Sequence, residues 1–469
     1  MRSASKFRLV NLSQLKLAQN KKMEELNLAE KVSRRKYLWA VGGVVVVAVV
    51  AGAGYYAYEA TKPKGPITIH QTIHAVDPNE QFGKMTEKWN AAHPNVQLVQ
   101  YKGSTTGGAV ADYHRAQVEM AQAKSPELDI FNLDVIWGAE FGENGWAIQL
   151  DDKFPESERA DFIPPMIDAW TWKGHIYAVP WMTDIGGLWY RKDILDDEGI
   201  KVPAEGWEWV EFFGIVQDLK KKYPDMDGLA IDNARSEQLL CNWQEFLASN
   251  GADFFDENGL IRINDSVAVE ALQTMVDMVQ KYKICHAATL TGDLDIARAL
   301  FVDQGKSLFH RNWNYVWGTS LSATSKVKGK IWVGTLPHHP GHNSAHCNGG
   351  WSWSISPGSK NPEETWEVVK FLTSKETMKA MMIGGGFTQA RLSLVNDPDV
   401  AKVVPIFPAY VDLYKTGTIR PKIVQYMAVS DIEQPYIHAA VSGTKSPKDA
   451  LDGFAADLSK FLGVGISKA

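Results

Sequence analysis

From residue 66 onward, the apolar positions switch between a two-residue and a three-to-four-residue period. Ile67-Thr68-Ile69 opens a strand running toward His74. Phe82, Met85 and Trp89 recur at helical spacing within 78–92, and 96–101 alternates residue by residue. Gly107-Gly108 opens a second helix reaching about residue 124, and 128–131 is a short apolar strand ending in Asn132-Leu133-Asp134. This β-α-β-α-β order predicts a parallel sheet with right-handed crossovers. Ligands of such sheets lie beyond the carboxyl ends of the strands, here 74–77 and 132–137. Helical periods then dominate. The predicted stripes are Val210, Phe213, Val216 and Leu219 in 207–223, Leu239, Leu240, Trp243 and Phe246 in 236–249, and Val269, Leu272, Val276 and Val279 in 267–282. Strands are expected at 307–310 and 331–336. Rings and hydroxyls alternate in Asn348-Gly349-Gly350-Trp351-Ser352-Trp353-Ser354-Ile355, which predicts a strand with one face in a cleft. Asn361-Pro362-Glu363-Glu364 starts a helix by cap, proline and dipole, and Ser446-Pro447 starts a last one striped by Leu451, Phe454, Leu458 and Phe461.

The chain has 469 residues, long for one core, so two lobes are expected. Its 17 tryptophans exceed what a core of this kind requires, which points to some of them lining a site. The N-terminus is of a different character. Residues 1–36 carry ten Lys/Arg against three Glu, so the formal total of −6 leaves −13 on the rest. Trp39 to Tyr58 is uncharged and long enough to span a bilayer, and the basic flank belongs on the cytoplasmic side. The expected organisation is a basic cytoplasmic head at 1–36, a transmembrane signal anchor at 37–58 and a linker at 59–65. Ser33-Arg34-Arg35-Lys36-Tyr37-Leu38 resembles a twin-arginine export signal, and Ala51-Gly52-Ala53 has the A-x-A form of a cleavage site. The apolar run continuing past it favours an uncleaved anchor. An acidic extracytoplasmic body follows, with no nucleic-acid partner expected. Cys241, Cys285 and Cys347 are too few for a disulfide framework, and the sequence does not assign a pair.

The densest chemistry lies in residues 177–193, YAVPWMTDIGGLWYRKD. A ring beside a carboxylate suits a sugar: the ring covers a C–H face and the carboxylate accepts from hydroxyls. The competing reading is an aromatic core. Asp134 could equally cap a helix, Asp184 stabilise a turn before Gly186-Gly187, and Arg391 form a surface ion pair.

Six segments in a fixed order carry a resemblance: ITIHQTIHAV, DIFNLDVIW, GHIYAVPWMTDIGGLWYRKDIL, SLFHRNWNY, NGGWSWSISPGSKNPEETWEVVKFL and GGGFTQAR. Over about 66–462 the chain resembles an extracellular solute-binding protein of an ABC sugar importer, of the maltose/trehalose type. The resemblance implies a two-lobed, periplasmic-binding-protein-like α/β fold. One lobe would comprise 66–175 and 350–388, the other 176–349 and 389–462, with crossings near 175–180, 345–352 and 385–392. It implies capture of a mono- to oligosaccharide by closure, delivery to ABC permease subunits, and neither cofactor nor catalysis. The implied site residues are His74 and Asp77, Asp134 and Trp137, Trp181, Asp184 and Tyr190, Trp313, Gly349, Gly350 and Trp351, and Arg391, with Gln244 a weaker transfer.

Three alternatives remain open at this level. Asp134 and Asp184 could be the carboxylate pair of a glycosidase, although no nucleophile elbow, phosphate loop or H-E-x-x-H motif accompanies them. The solute could be a polyol, a glycerol phosphate or a peptide, although phosphate calls for a basic cluster and the candidate site holds one Arg. His338, His339, His342, His346 and Cys347 fall within ten residues, and H-x3-H spacing at His338, His342 and His346 offers a minor zinc or copper reading.

Overall fold

The computed structural model describes residues 65–73, 80–101, 110–292 and 294–467. The expected head (1–36) and anchor (37–58), together with His74 and Asp77, lie outside the described residues. Among the described residues, no helix is long and apolar enough to cross a membrane.

The body is two-lobed and α/β. It opens with β1 (Ile67–Gln71), α1 (Gln81–Ala92), β2 (Val96–Gln100), α2 (Val110–Gln122) and β3 (Ile130–Asp134). β1 pairs in parallel with both β2 and β3, the crossover order that the periodicity predicts. Phe82, Met85 and Trp89 of α1 pack on Ile69, Leu98 and Phe131 of the sheet. β3 starts and ends later than its apolar run suggests, carrying Asn132 and Asp134 inside the strand with all five residues buried. Burial of those polar groups requires partners. The Asn132 side-chain amide donates to the Ser352 carbonyl at 3.5 Å, its backbone N–H donates to Thr72 Oγ1 at 2.9 Å, and Tyr113 Oη donates to its backbone carbonyl at 2.9 Å.

The chain leaves this lobe on β4 (Val179–Ile185), breaks at Gly186 and continues as β5 (Gly187–Arg191). The second lobe adds α3 (Trp209–Lys222), β6 (Asp227–Ala230), α4 (Glu237–Ala248), α5 (Ser266–Gln280), β7 (Ser307–Asn312) and β8 (Ile331–Gly334). Its sheet runs β8-β5-β7-β6. β9 (His346–Ile355) returns to the first sheet and is buried along its whole length. α6 (Pro362–Leu372), α7 (Lys375–Gly385), β10 (Gly417–Thr418), α8 (Tyr426–Val441) and α9 (Pro447–Leu462) complete the chain. The first sheet runs β10-β9-β3-β1-β2, with β4 on the other edge of β9.

β4 and β9 are therefore neighbouring antiparallel strands that both pass between the lobes. A third segment joins them: the Thr183 amide donates to the Thr388 carbonyl at 3.4 Å, and the Ala390 amide donates to the Trp181 carbonyl at 2.9 Å.

Some stripes shift phase. Val210 is 63% exposed, and α3 instead buries Trp209, Phe212, Phe213, Val216 and Leu219. Val210 follows the Trp209/Phe213 line by one residue, about 100° round the helix, which turns it to solvent. On α9, Leu451, Phe454 and Leu458 are buried, but Phe461 in the last turn is 44% exposed. Asn361 makes no side-chain cap; its own amide donates to Ser359 Oγ at 3.2 Å. Ser446 does cap α9, through the Asp449 amide.

Candidate functional site

Strand pairing assembles the site. Trp351 of β9 lies opposite Asp134 of β3, and Gly349 of β9 lies opposite Asp184 of β4. Residues two apart on a strand share a face, and directly paired residues project to the same side. Asp134, Trp351, Gly349 and Asp184 thus present to one face at the seam between the lobes. A Cβ on residue 349 would sit 3.2 Å from Asp184 Cβ and 3.3 Å from the Trp313 ring, so glycine permits this close approach. Trp313 follows β7 and closes the edge of the face. Its indole N–H donates to Gln238 Oε1 at 2.6 Å, and the Arg311 guanidinium lies 4.3 Å from its ring centre.

The two carboxylates differ in environment. Asp134 accepts from the Ile136 amide at 3.1 Å and lies 3.6 Å from Arg420 Nη2. It caps the turn at Val135–Trp137 while standing on the face it shares with Trp351. Burial raises its pKa, and Arg420 offsets that only in part. Asp184 is pushed well above the usual carboxylate range, first by burial and then by the Asp134 charge. Its Oδ1 is buried without a hydrogen-bond partner. The Tyr414 hydroxyl donates to its backbone carbonyl at 3.1 Å.

Arg420 is the functional candidate that sequence reasoning missed. It follows β10, which pairs with the start of β9 at His346 and Cys347 and so delivers Arg420 to the seam. Arg420 Nη1 donates to Glu237 Oε1 at 2.6 Å, Nη2 donates to the Asn348 carbonyl at 3.5 Å, and the guanidinium lies 5.9 Å from the Tyr426 ring centre. Its Nε is buried and unpartnered. The only local signal is an Arg before Pro421, which predicts extended backbone and nothing about a site. Gln244 Nε2 donates to Thr418 Oγ1 at 3.0 Å, placing that weaker candidate beside β10.

Several expected residues lie elsewhere. Trp181 is 2% exposed, 4.8 Å from the Trp353 ring and 6.0 Å from Phe82. It is core, because β4 runs as one strand through Ile185. An odd offset of three from Asp184 then puts it on the opposite face, at the register shift where Met182 pairs with Trp351 and Pro180 with Ser352. Tyr190 lies in the second sheet opposite Trp332 and packs by Gly334 and Val202. Burial pushes its hydroxyl up to about 12. Arg391 bonds Asp161 at 2.9 Å and the Thr373 carbonyl at 2.8 Å, and lies over Phe162 at 4.4 Å, which is a structural clamp. Trp137 is fully buried behind the site, edge-on to Trp351 at 5.9 Å. Gly350, at φ 132°, turns toward Met166, away from Asp184.

The histidine loop is dispersed. His338 Nδ1 bonds the His339 carbonyl at 2.9 Å, His339 lies between Ser249 and Thr274, and His342 packs against Gly251. His346 is buried with Nδ1 at 2.6 Å from the Gly186 carbonyl, and Cys347 Sγ donates to the Asn348 carbonyl. The His338 and His346 rings are taken by backbone carbonyls, the His342 ring is exposed beside Gly251, and among the described residues no group of three or more His, Cys, Asp and Glu could hold a metal. The three cysteines are free.

Comparison with known proteins fits this architecture. Residues 75–379 match the family described as bacterial extracellular solute-binding protein. The maltose-bound structure of MalE3 from T. maritima is similar to this chain at 31% identity and TM-score 0.77, covering 84% of this chain and 100% of that one. A probable ABC transporter-binding protein of Deinococcus radiodurans is 29% identical over 351 residues, 73% of this chain and 82% of that protein. The GacH receptor of Streptomyces glaucescens, solved unliganded and with acarbose, shares the fold at 20% identity and TM-score 0.73, over 86% of this chain and 100% of that one.

Proposed function

The chain belongs to the bacterial extracellular solute-binding proteins, the solute-binding components of ABC transporters, and from that premise we propose that its solute is a sugar held between the closing lobes. The observation that carries this reading is a pair of buried, partnerless polar atoms near rings: Asp184 Oδ1, on the residue that meets Gly349 beside the Trp313 ring, and Arg420 Nε, whose guanidinium is 3.6 Å from the carboxylate of Asp134 opposite Trp351. Buried polar groups are ordinarily satisfied, so a solute rich in hydroxyls suits this acceptor and donor while its C–H faces meet the indoles.

In this reading the first lobe, 66–175 with 350–388, contributes Asp134 and Trp351. The second, 176–349 with 389–462, contributes Asp184, Trp313, Gly349 and Arg420. His74 and Asp77, outside the described residues, are assigned polar contacts in this reading. Sugar favours the closed form through contacts available only there. Lys422 donates to the carbonyls of Asp168 and Thr171 at 2.6 and 2.7 Å, contacts that this reading assigns to the closed form. The body works outside the cytoplasm, tethered by residues 37–58, and delivers its load to permease subunits. The similarity to a maltose-bound relative at 31% identity makes a maltose-like disaccharide the first probe.

Thermal unfolding with glucose, maltose, trehalose and maltotriose, and with mannitol and ribitol as polyol alternatives, tests the reading. A ligand at about a thousand times its Kd stabilises the native state by about 4 kcal/mol. A shift with a saccharide and none with buffer is expected. A flat response across mono- to trisaccharides, or hydrolysis of the sugar, would overturn it.

A further inference from the structure

Behind the site lies an ion pair that the proposed sugar contacts do not use. Arg311 of β7 and Glu245 of α4 are both fully buried, with Nε to Oε2 at 2.8 Å and Nη2 to Oε1 at 2.5 Å. An ion pair this deep is not an efficient stabiliser, since two apolar side chains of similar volume commonly do as well or better. Arg311 Nη1 is also buried without a partner, which adds to the cost.

The pair's surroundings suggest its use. It touches both strands that pass between the lobes. The Cys347 amide of β9 donates to Glu245 Oε1 at 3.0 Å. Between β4 and β5, a Cβ on residue 186 would lie 1.9 Å from Glu245 Oε1 and 2.3 Å from Arg311 Nη2, so only glycine admits the pair. On its other side the guanidinium stacks 4.3 Å from the Trp313 ring. One face of that ring is thus set by Arg311, its N–H by Gln238 and its edge by Gly349.

We propose that the Arg311–Glu245 pair is a positioning element for solute binding, which locks the Trp313 platform to the two crossing strands in one geometry. The planar fork of arginine suits both tasks, binding the carboxylate edge-on while stacking on the ring. The proposal rests on the sugar reading for its consequence, but the orientation of Trp313 is readable without sugar.

The test compares Arg311→Met, Glu245→Met and the double variant, with Arg311→Lys as a milder change. Each single variant strands a buried charge and should lower Tm, whereas the double should recover the wild-type Tm. Near-UV circular dichroism of the ligand-free protein, with Trp313→Phe defining that ring's band, should show the band lost in the double variant. Calorimetric titration with maltose should then show affinity at least about tenfold weaker. Arg311→Lys should keep the Tm nearer wild type while weakening the band, so the idea stays testable if the double variant does not fold. A recovered Tm accompanied by an intact Trp313 band and unchanged affinity would reduce the pair to filler and overturn the proposal. Wild-type protein that binds no saccharide, with the band still lost in the variants, would overturn the sugar reading and leave the positioning role standing.

Discussion

Arg391 and Arg420 sit in clamps of nearly the same composition, yet only around Arg420 is bonding capacity left over. Each guanidinium meets a carboxylate, a backbone carbonyl and an aromatic ring. Around Arg391 the hydrogen bonding is complete on the carboxylate side: Asp161 accepts from Arg391, from the Ser393 amide and from the Ser393 hydroxyl. Burial alone would raise the Asp161 carboxyl, but those bonds bring it below the usual range. Around Arg420 the balance is reversed. Asp134 is raised by burial, Asp184 nearby more so, and both Arg420 Nε and Asp184 Oδ1 lack partners. A satisfied, partly exposed pair holds structure together, whereas a buried set with spare bonding capacity is suited to receive a solute.

The largest expected effect that would break this contrast is on Arg420. Arg420→Met should weaken sugar binding by about a hundredfold or more and cost about 3–5 kcal/mol of stability, because buried Asp134 and partly buried Glu237 would be left without their cation. Titration calorimetry and chemical unfolding measure the two losses; wild-type affinity in this variant would remove Arg420 from the site.

The same division applies to rings. Trp181→Ala should cost about 3–5 kcal/mol of stability, as for other buried aromatics. Trp351→Ala should instead cost about 1–3 kcal/mol of binding energy. If Trp181→Ala proved as stable as wild type and deficient only in binding, Trp181 would have to be returned to the cleft.

Smaller effects are expected at the satisfied clamp. Arg391→Met should lose about 1 kcal/mol or less, the range of partly exposed pairs, with sugar affinity unchanged. A loss of binding without loss of stability would equate the two arginines.

The pH dependence should have opposite signs in the two clamps. Folded Asp184 keeps a proton that the unfolded chain loses at about pH 3.9, so stability declines as pH rises from there through its raised folded pKa. Asp161 contributes stability above about pH 3.9 that is lost as pH falls through its depressed folded pKa. Asp184→Asn should therefore flatten the decline on the neutral side, and Asp161→Asn should remove the loss on the acid side. Calorimetric Tm profiles over about pH 2 to about 8 would show this, and superimposable profiles for the two variants would erase the distinction.

Much of the architecture was legible in the chain because it depends on near neighbours. Two-residue alternation and helical stripes locate β1, α1, β2 and β3, and cap chemistry locates α9. The order of six segments indicated the two-lobed family. The resemblance named Asp134, Asp184, Gly349 and Trp351, and the strands that carry them have local patterns, so the chain indicated residues that strand pairing then brings to one face. What lay beyond reach was set by register and by contacts across long stretches of chain. The continuation of β4 to Ile185 and its register shift decide that Trp181 faces the core and Asp184 the seam. Asp161, 230 residues away, claims Arg391. The pairing of β10 with β9 brings in Arg420, 183 residues from its partner Glu237. The sequence by itself determined which elements form and which residue chemistry is available, because propensity and periodicity act over a few residues. Only the tertiary structure decided which side chains share a face, because facing depends on strand parity and on pairing partners that no short window contains.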